Sequence, residues 1–190
     1  MARVSSPHTR FTVDELFKLV HADALGTSRV ELLNGRIYRM APQGGPHMVA
    51  VTRGAKALLH AASASDWVIL QGTLILNRFS APDPDLLWLP VAEGTPVGQW
   101  PDPVLLIEVS DTSYRKDSGI KLRTYASHGV PEYWIENLPA GRIEVYRSPQ
   151  NPTGQLRNCR YASVEHFGRG QTIRPQARPQ VEFKVDDLLP

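Results

Sequence analysis

The stretch Val104-Leu105-Leu106-Ile107-Glu108-Val109 decides how this chain is read. Apart from Glu108 it is wholly apolar, which marks a strand covered on both faces and therefore the middle of a sheet. So hydrophobic a strand would ordinarily carry valine or isoleucine where Glu108 stands. A carboxylate withdrawn from water has to be paired, protonated or bound to a cation. The fold and the candidate chemistry thus meet in one segment.

Downstream of it, residues 119–128 read as a helix ended by Gly129 and Pro131, with Ile120, Leu122 and Tyr125 for its inner face. Strands over residues 132–136 and 142–146 follow. The remainder is turn-rich, with a few weak strands and an apolar end at 185–189. Upstream, strands are expected at Trp67–Leu70, 73–77 and 85–89, and the Pro- and Gly-rich run 90–103 reads as a loop within one domain. Residues 47–62 place Val51, Ala55, Leu58 and Leu59 at helical spacing after the breaker Pro42-Gln43-Gly44-Gly45-Pro46. Two strand-like runs, Val30–Leu33 and 36–40, flank Asn34-Gly35, which supplies the positive φ angles of a two-residue hairpin turn. A helix to about His21 opens at Thr12, with Glu15 placed to close a capping box and Phe11 to staple against Leu16. Strands alternating with helices predict an α/β fold.

A length of 190 residues fits one domain with a substantial core. We expect a flexible tail over residues 1–10 and a domain over 11–190. The apolar share of 42% and charged share of 21% are those of a globular protein, and no apolar run reaches the roughly 18 residues of a spanning helix. Residues 1–10 lack the apolar stretch of a secretory signal, so a cytoplasmic location is expected. The single cysteine, Cys159, excludes an intrachain disulfide and a thiolate-rich zinc site and reads as a small apolar residue. Asn151-Pro152-Thr153 fails as a glycosylation acceptor because proline holds its middle position.

The net charge of +2, with a pI of about 8.8, does not by itself announce a nucleic-acid binder. Arginines recur from Arg142 through Arg147, Arg157, Arg160, Arg169, Arg174 and Arg178. A solvated surface accounts for them better than a basic rim.

Three acids lie within apolar strand patterns: Glu31 between Val30 and Leu32, Asp85 ahead of Leu86-Leu87-Trp88-Leu89, and Glu108. Singly, each is explained by a strand end reaching solvent or by an arginine partner. Together they suit a hard divalent cation, which takes oxygen ligands and keeps several waters. Lys121, on the helix after the Glu108 strand, can lean back over that strand's end. Beside an oxygen-ligated metal such a lysine can orient an attacking water and stabilise charge on phosphoryl oxygens. Asp83 competes with Asp85, which is preferred because it directly opens the apolar strand. Lys116 competes with Lys121, which is preferred because Lys116 lies in the polar loop before the helix is established. Asp117 reads as a helix N-cap or as an orienter of Lys121.

Several of these residues carry a family resemblance. Pro84-Asp85, Glu108-Val109-Ser110, Lys121 with Tyr125, and Gly129-Val130-Pro131-Glu132-Tyr133-Trp134-Ile135 resemble the Uma family of putative restriction endonucleases, within the PD-(D/E)XK nuclease superfamily. Thr12-Val13-Asp14-Glu15, Val30-Glu31-Leu32-Leu33-Asn34-Gly35, Met40-Ala41-Pro42 ahead of His47, and Asp186-Asp187-Leu188-Leu189 agree, so the likeness covers nearly the whole chain. It implies a restriction-endonuclease-like fold, a mixed sheet flanked by helices. It also implies DNA as substrate and a Mg²⁺-dependent site, with Mn²⁺ as a substitute. Asp85 and Glu108 would be the metal ligands, Glu31 an additional acid and Lys121 the catalytic lysine. Two residues after Glu108 stands Ser110 rather than the superfamily's lysine, so the site requires Lys121 to reach in from the helix.

Other motifs carry less. His47, opening a helix after a Gly-Pro loop, is left outside the metal site. Gly44-Gly45 is too short for a phosphate-cradling loop, and Trp88, Trp100 and Trp134 read as core residues before base-stacking platforms. The expected function is a Mg²⁺-dependent DNA endonuclease, the alternative being a non-catalytic nucleic-acid or protein-binding module on the same fold, and a homodimer would match two strands with two sites.

Overall fold

A computed structural model of the chain describes residues 9–91, 94–96, 100–150 and 155–190. Residues 1–8 of the expected tail, parts of the 90–103 loop and Asn151-Pro152-Thr153 lie outside the described residues. Six strands form one mixed sheet: β3 (Trp67–Leu70), β4 (Leu86–Leu89), β5 (Leu105–Ser110), β6 (Glu132–Asn137), β7 (Arg142–Gln150) and β8 (Arg160–Gly168), hydrogen-bonded in that order. Only β5 and β6 run parallel, and they are the two central strands. The chain returns between them through α3 (Tyr114–Lys116), a π turn (Asp117–Lys121) and α4 (Leu122–Ser127), as a parallel crossover must. This is the single α/β domain expected.

Side chains alternate across the sheet. Leu105, Ile107 and Val109 face one way, with Trp88, Trp134 and helix α2 (Gly45–Ala61). Leu106 faces the other way with Tyr133, Ile135 and Tyr125 of α4. Glu108 shares that second face by its position in the alternation. The last helix, α5 (Val185–Leu188), packs with the first cluster.

A separate hairpin of β1 (Val30–Leu33) and β2 (Arg36–Arg39) carries Glu31. Asn34 and Gly35 take φ values of 50° and 79° at its turn, the left-handed pair that the Asn-Gly sequence supplies. Leu32 exchanges both backbone hydrogen bonds with Ala81, at 3.1 and 2.8 Å, which anchors the hairpin beside the approach to β4. Helix α1 (Val13–His21) covers it through Val13 and Leu16, and its Thr12–Glu15 capping box is complete. Arg10, assigned to the tail, donates to Asn34 and stacks on Phe79.

Four expectations are corrected. Residues 73–77 form no ladder strand: Leu74 N–H bonds to Pro82 C=O and Leu76 N–H to Ser80 C=O, and prolines 82 and 84 have no N–H to continue the pairing. Leu59 is exposed, because the buried stripe of α2 runs through His47, Ala50, Val51, Gly54, Ala55 and Leu58, and Leu59 lies a further 100° round. The helix after β5 starts at Tyr114 rather than 119, so Lys116 is helical and Asp117 is no N-cap. The long strand β8 was hidden by its polar pattern, Arg160, Ser163, Glu165 and His166, since it borders the sheet and is largely exposed. Among the described residues no helix is long and apolar enough to cross a membrane. The late arginines are mostly paired, Arg142 with Glu144, Arg147 with Glu132, Arg174 with Glu182 and Arg178 with Asp66, and Trp88 and Trp134 are core.

Candidate active site

Antiparallel pairing of Leu86 with Ile107 places Asp85, one residue before β4, beside Glu108 on β5. Both line a cavity of about 200 Å³ together with His47, Asp111, Asp117, Lys116 and Lys121. Asp83 does not line it; its carboxylate accepts from Thr73 Oγ1 at 2.6 Å and faces Arg29. The structure thus separates the two aspartates that the sequence left in competition.

Lys121 is 1% exposed and lies over the end of β5. Its Nζ donates to Glu108 Oε1 at 2.7 Å and to the Asp83 carbonyl at 3.3 Å, and lies 3.1 Å from Glu31 Oε2. The π turn accommodates this: its widened backbone buries Asp117 and Lys121 together, a distortion often found at functional positions. Tyr125, one turn on, donates its hydroxyl to the same Glu108 Oε1 at 2.7 Å. Glu31 is wholly buried and sits beneath both lysines, accepting from Lys116 Nζ at 2.7 Å and from the Asp83 N–H at 3.3 Å. The four predicted residues Glu31, Asp85, Glu108 and Lys121 are therefore one contiguous group.

Two further groups border this one: His47, which the sequence reading left outside the metal site, and Glu136, which it did not single out. His47, at the N-terminus of α2, brings Nε2 to 3.2 Å from Asp85 Oδ2, the oxygen that also accepts from Val109 N–H at 2.9 Å. His47 Nδ1 is buried with no partner, so the network assigns the proton to Nε2, where it is donated to Asp85. Helical spacing cannot show this contact, which is made across 38 residues. Glu136 on β6 is fully buried with neither oxygen hydrogen-bonded. Its signal was available in the sequence: like Glu108, it is an acid inside an apolar strand. Asp117 also has a definite role, accepting from Ser110 Oγ at 2.7 Å and from Ser113 Oγ, which ties the π turn to the end of β5.

Acidic groups outnumber lysines in this cavity. Its wall carries four carboxylates (Asp85, Glu108, Asp111, Asp117) against two ammoniums, Lys116 and Lys121. Burial pushes Glu108 well above the usual carboxylate range; Lys121 offsets only part of this, and Asp117, Asp85 and Glu31 add to it. Burial likewise raises Asp117 against the pull of Lys121. For Glu31 the balance reverses, since Lys121 and Lys116 together outweigh desolvation and hold it below its ordinary value. Burial alone would lower Lys121, but Glu108, Glu31 and Asp117 keep its ammonium protonated.

Such a site fits a further cation. Glu108 Oε2 and Asp85 Oδ1 have no hydrogen bond among the described residues, while their partner oxygens are held in place. Among the described residues no three His, Cys, Asp or Glu groups are arranged to hold a metal ion by themselves. A metal here would have only these two carboxylates as side-chain donors, a set suited to Mg²⁺, which keeps several waters and is commonly held by one or two carboxylates together with substrate phosphates.

A mixed sheet with paired strand acids at one end and a helix-borne lysine over them defines the restriction-endonuclease-like class. The chain matches the Uma2 family model, described as "Putative restriction endonuclease", over residues 13–186, and it belongs to that family. Its fold is similar to the crystal structure of "a putative nuclease belonging to DUF820" from Anabaena variabilis, with a TM-score of 0.65 and 15% identity over 94% of this chain and 97% of that one. No curated protein matches the chain.

Proposed function

We propose that this protein is a Mg²⁺-dependent DNA endonuclease in which Asp85 and Glu108 hold the ion. The observation that carries the reading is the placement of these two carboxylates on neighbouring strands, lining one cavity with Lys121 2.7 Å from Glu108. The family assignment supports it. When bound, the ion would supply polarisation of the phosphoryl group and a water of lowered pKa.

The chain's own residues do the rest. Val109 N–H and His47 fix Asp85 through Oδ2 and leave Oδ1 without a hydrogen bond among the described residues. Lys121 and Tyr125 fix Glu108 in the same way; burial keeps the Tyr125 hydroxyl protonated and thus a donor. The Lys121 ammonium, held in a dry setting by Glu31 and Glu108, contributes a fixed positive charge near developing negative charge on phosphoryl oxygens. Glu31 is the anchor of that lysine.

The test is cleavage of plasmid and linear DNA with Mg²⁺ or Mn²⁺ by the wild type beside Glu108→Ala and Lys121→Ala. Losses of about 10²-fold or more are expected in both variants, on the scale of deleting one charge-stabilising group. Equal activity in all three proteins would assign the cleavage to a contaminant and refute the proposal. Calorimetric titration of Mg²⁺ into the wild type and Asp85→Asn gives a second readout. A chain that binds DNA but shows no Asp85-dependent Mg²⁺ affinity would be a binding module instead. With one site per chain, cutting both strands of a duplex calls for two copies, so nicked and linear products are to be scored separately against protein concentration.

A further inference from the structure

Two lysines share the Glu31 carboxylate, and their surroundings differ. Lys121 is sealed at 1% exposure, and its three protons match three acceptors: Glu108 Oε1, Glu31 Oε2 and the Asp83 carbonyl. It has no donor left for a substrate unless a buried carboxylate loses its partner, which is costly. Lys116 binds the other oxygen, Glu31 Oε1, at 2.7 Å. Its side chain is 22% exposed, it lines the same cavity, and Glu31 is the one hydrogen-bond partner of its ammonium among the described residues. An ammonium has three donors, so Lys116 keeps two for an incoming anion without leaving Glu31.

The cavity is also lined by Met40, Ala41, Pro42, Gln43 and Gly44, which offer no cation. A phosphodiester approaching Asp85 and Glu108 in this cavity passes carboxylates that repel it and meets one partly exposed ammonium, that of Lys116. We infer that Lys116 is the phosphate-binding residue of this site, donating directly to a backbone phosphate oxygen of the DNA while Glu31 holds it in place. Lys121 then supplies fixed charge behind the carboxylates and Lys116 the direct contact from the cavity wall. This inference rests on the nuclease reading above.

The experiment measures binding of the full chain to a short duplex in EDTA over a range of salt concentrations, by fluorescence anisotropy, so that neither metal nor turnover enters. A lysine on a phosphate releases condensed counterions, so Lys116→Met is expected to make the plot of log Kd against log salt shallower by about 0.9. The weakening should be equal on two duplexes of unrelated sequence. Lys116→Arg, which keeps the charge, should retain the wild-type slope, as should Lys184→Met, which removes an exposed lysine on β10 (Phe183–Lys184). Should Lys116→Met fail to fold, Lys116→Gln drops the charge while retaining a donor for Glu31. An unchanged slope in the folded neutral variant, or the same loss in Lys184→Met, overturns the inference and leaves the nuclease reading standing. A wild-type chain that neither binds nor cuts DNA overturns the nuclease reading itself.

Discussion

Replacing Glu136 by methionine should stabilise this protein, and by an amount that depends on pH in a defined way. Glu136 is fully buried with no hydrogen bond to either oxygen, and burial, with a smaller contribution from the Asp85 charge, raises its pKa from 4.5 to about 8. In acid, both folded and unfolded chains carry the proton, and only the unpaired neutral carboxyl separates wild type from variant. As pH rises past about 4.5 the unfolded chain ionises while the folded chain keeps its proton, so wild-type stability falls. The fall ends near pH 8, where the folded group ionises as well. At about 1.4 kcal/mol per pH unit, the pH-dependent cost is about 3 kcal/mol at pH 7 and about 5 kcal/mol above pH 8. Methionine follows the path of the glutamate chain at similar volume and removes the titration. Urea unfolding of both proteins in EDTA from pH 4 to about 9 should give stability curves that diverge across this window. At pH 7 the melting temperature should rise by roughly 6–12 °C for a chain of this size. A difference that does not change with pH, or a variant less stable than wild type at neutral pH, would refute the reasoning and mean that the carboxylate is held charged by a partner.

Other outcomes follow from the same geometry. His47→Leu leaves Asp85 Oδ2 with only the Val109 N–H and should weaken Mn²⁺ binding by about 10–100-fold, the usual scale for a residue that orients a ligand; calorimetric titration checks it, and an unchanged affinity would make the contact incidental. Gly54→Ala would put a methyl 2.5 Å from Leu86 Cδ1 and 3.5 Å from Glu136 Oε1. Overpacking there should cost about 1–3 kcal/mol in urea unfolding, and because Leu86 adjoins Asp85, DNA cleavage should fall with it. Gly35→Ala places a Cβ at φ 79° against Arg10, costing about 1–2 kcal/mol, read as a lower urea midpoint at unchanged slope.

Much of the architecture was legible because its causes are local. Asn34-Gly35 can turn a chain in few ways, Thr12 and Glu15 cap a helix within one turn, and the apolar run ending at Val109 has no stable place except the centre of a sheet. Glu31, Asp85 and Glu108 stood out for the same reason, each being an acid where the pattern demanded an apolar residue, and Glu136 carried that mark too. Strand β8 was less legible, since an exposed border strand leaves no hydrophobic period to read.

The tertiary structure alone decided which of these groups meet. Asp83 and Asp85 differ by two positions, yet only Asp85 lines the cavity, because strand pairing fixes it beside Glu108. Lys116 and Lys121 both reach Glu31, one open to solvent and one sealed, because a π turn inserted into the crossover sets where each side chain projects. His47 touches Asp85 from a helix 38 residues upstream. Residue type and spacing report what a segment prefers within a few residues of itself. The pairing of charges across strands and helices is fixed by packing distant segments into one core, and no local pattern encodes that distance.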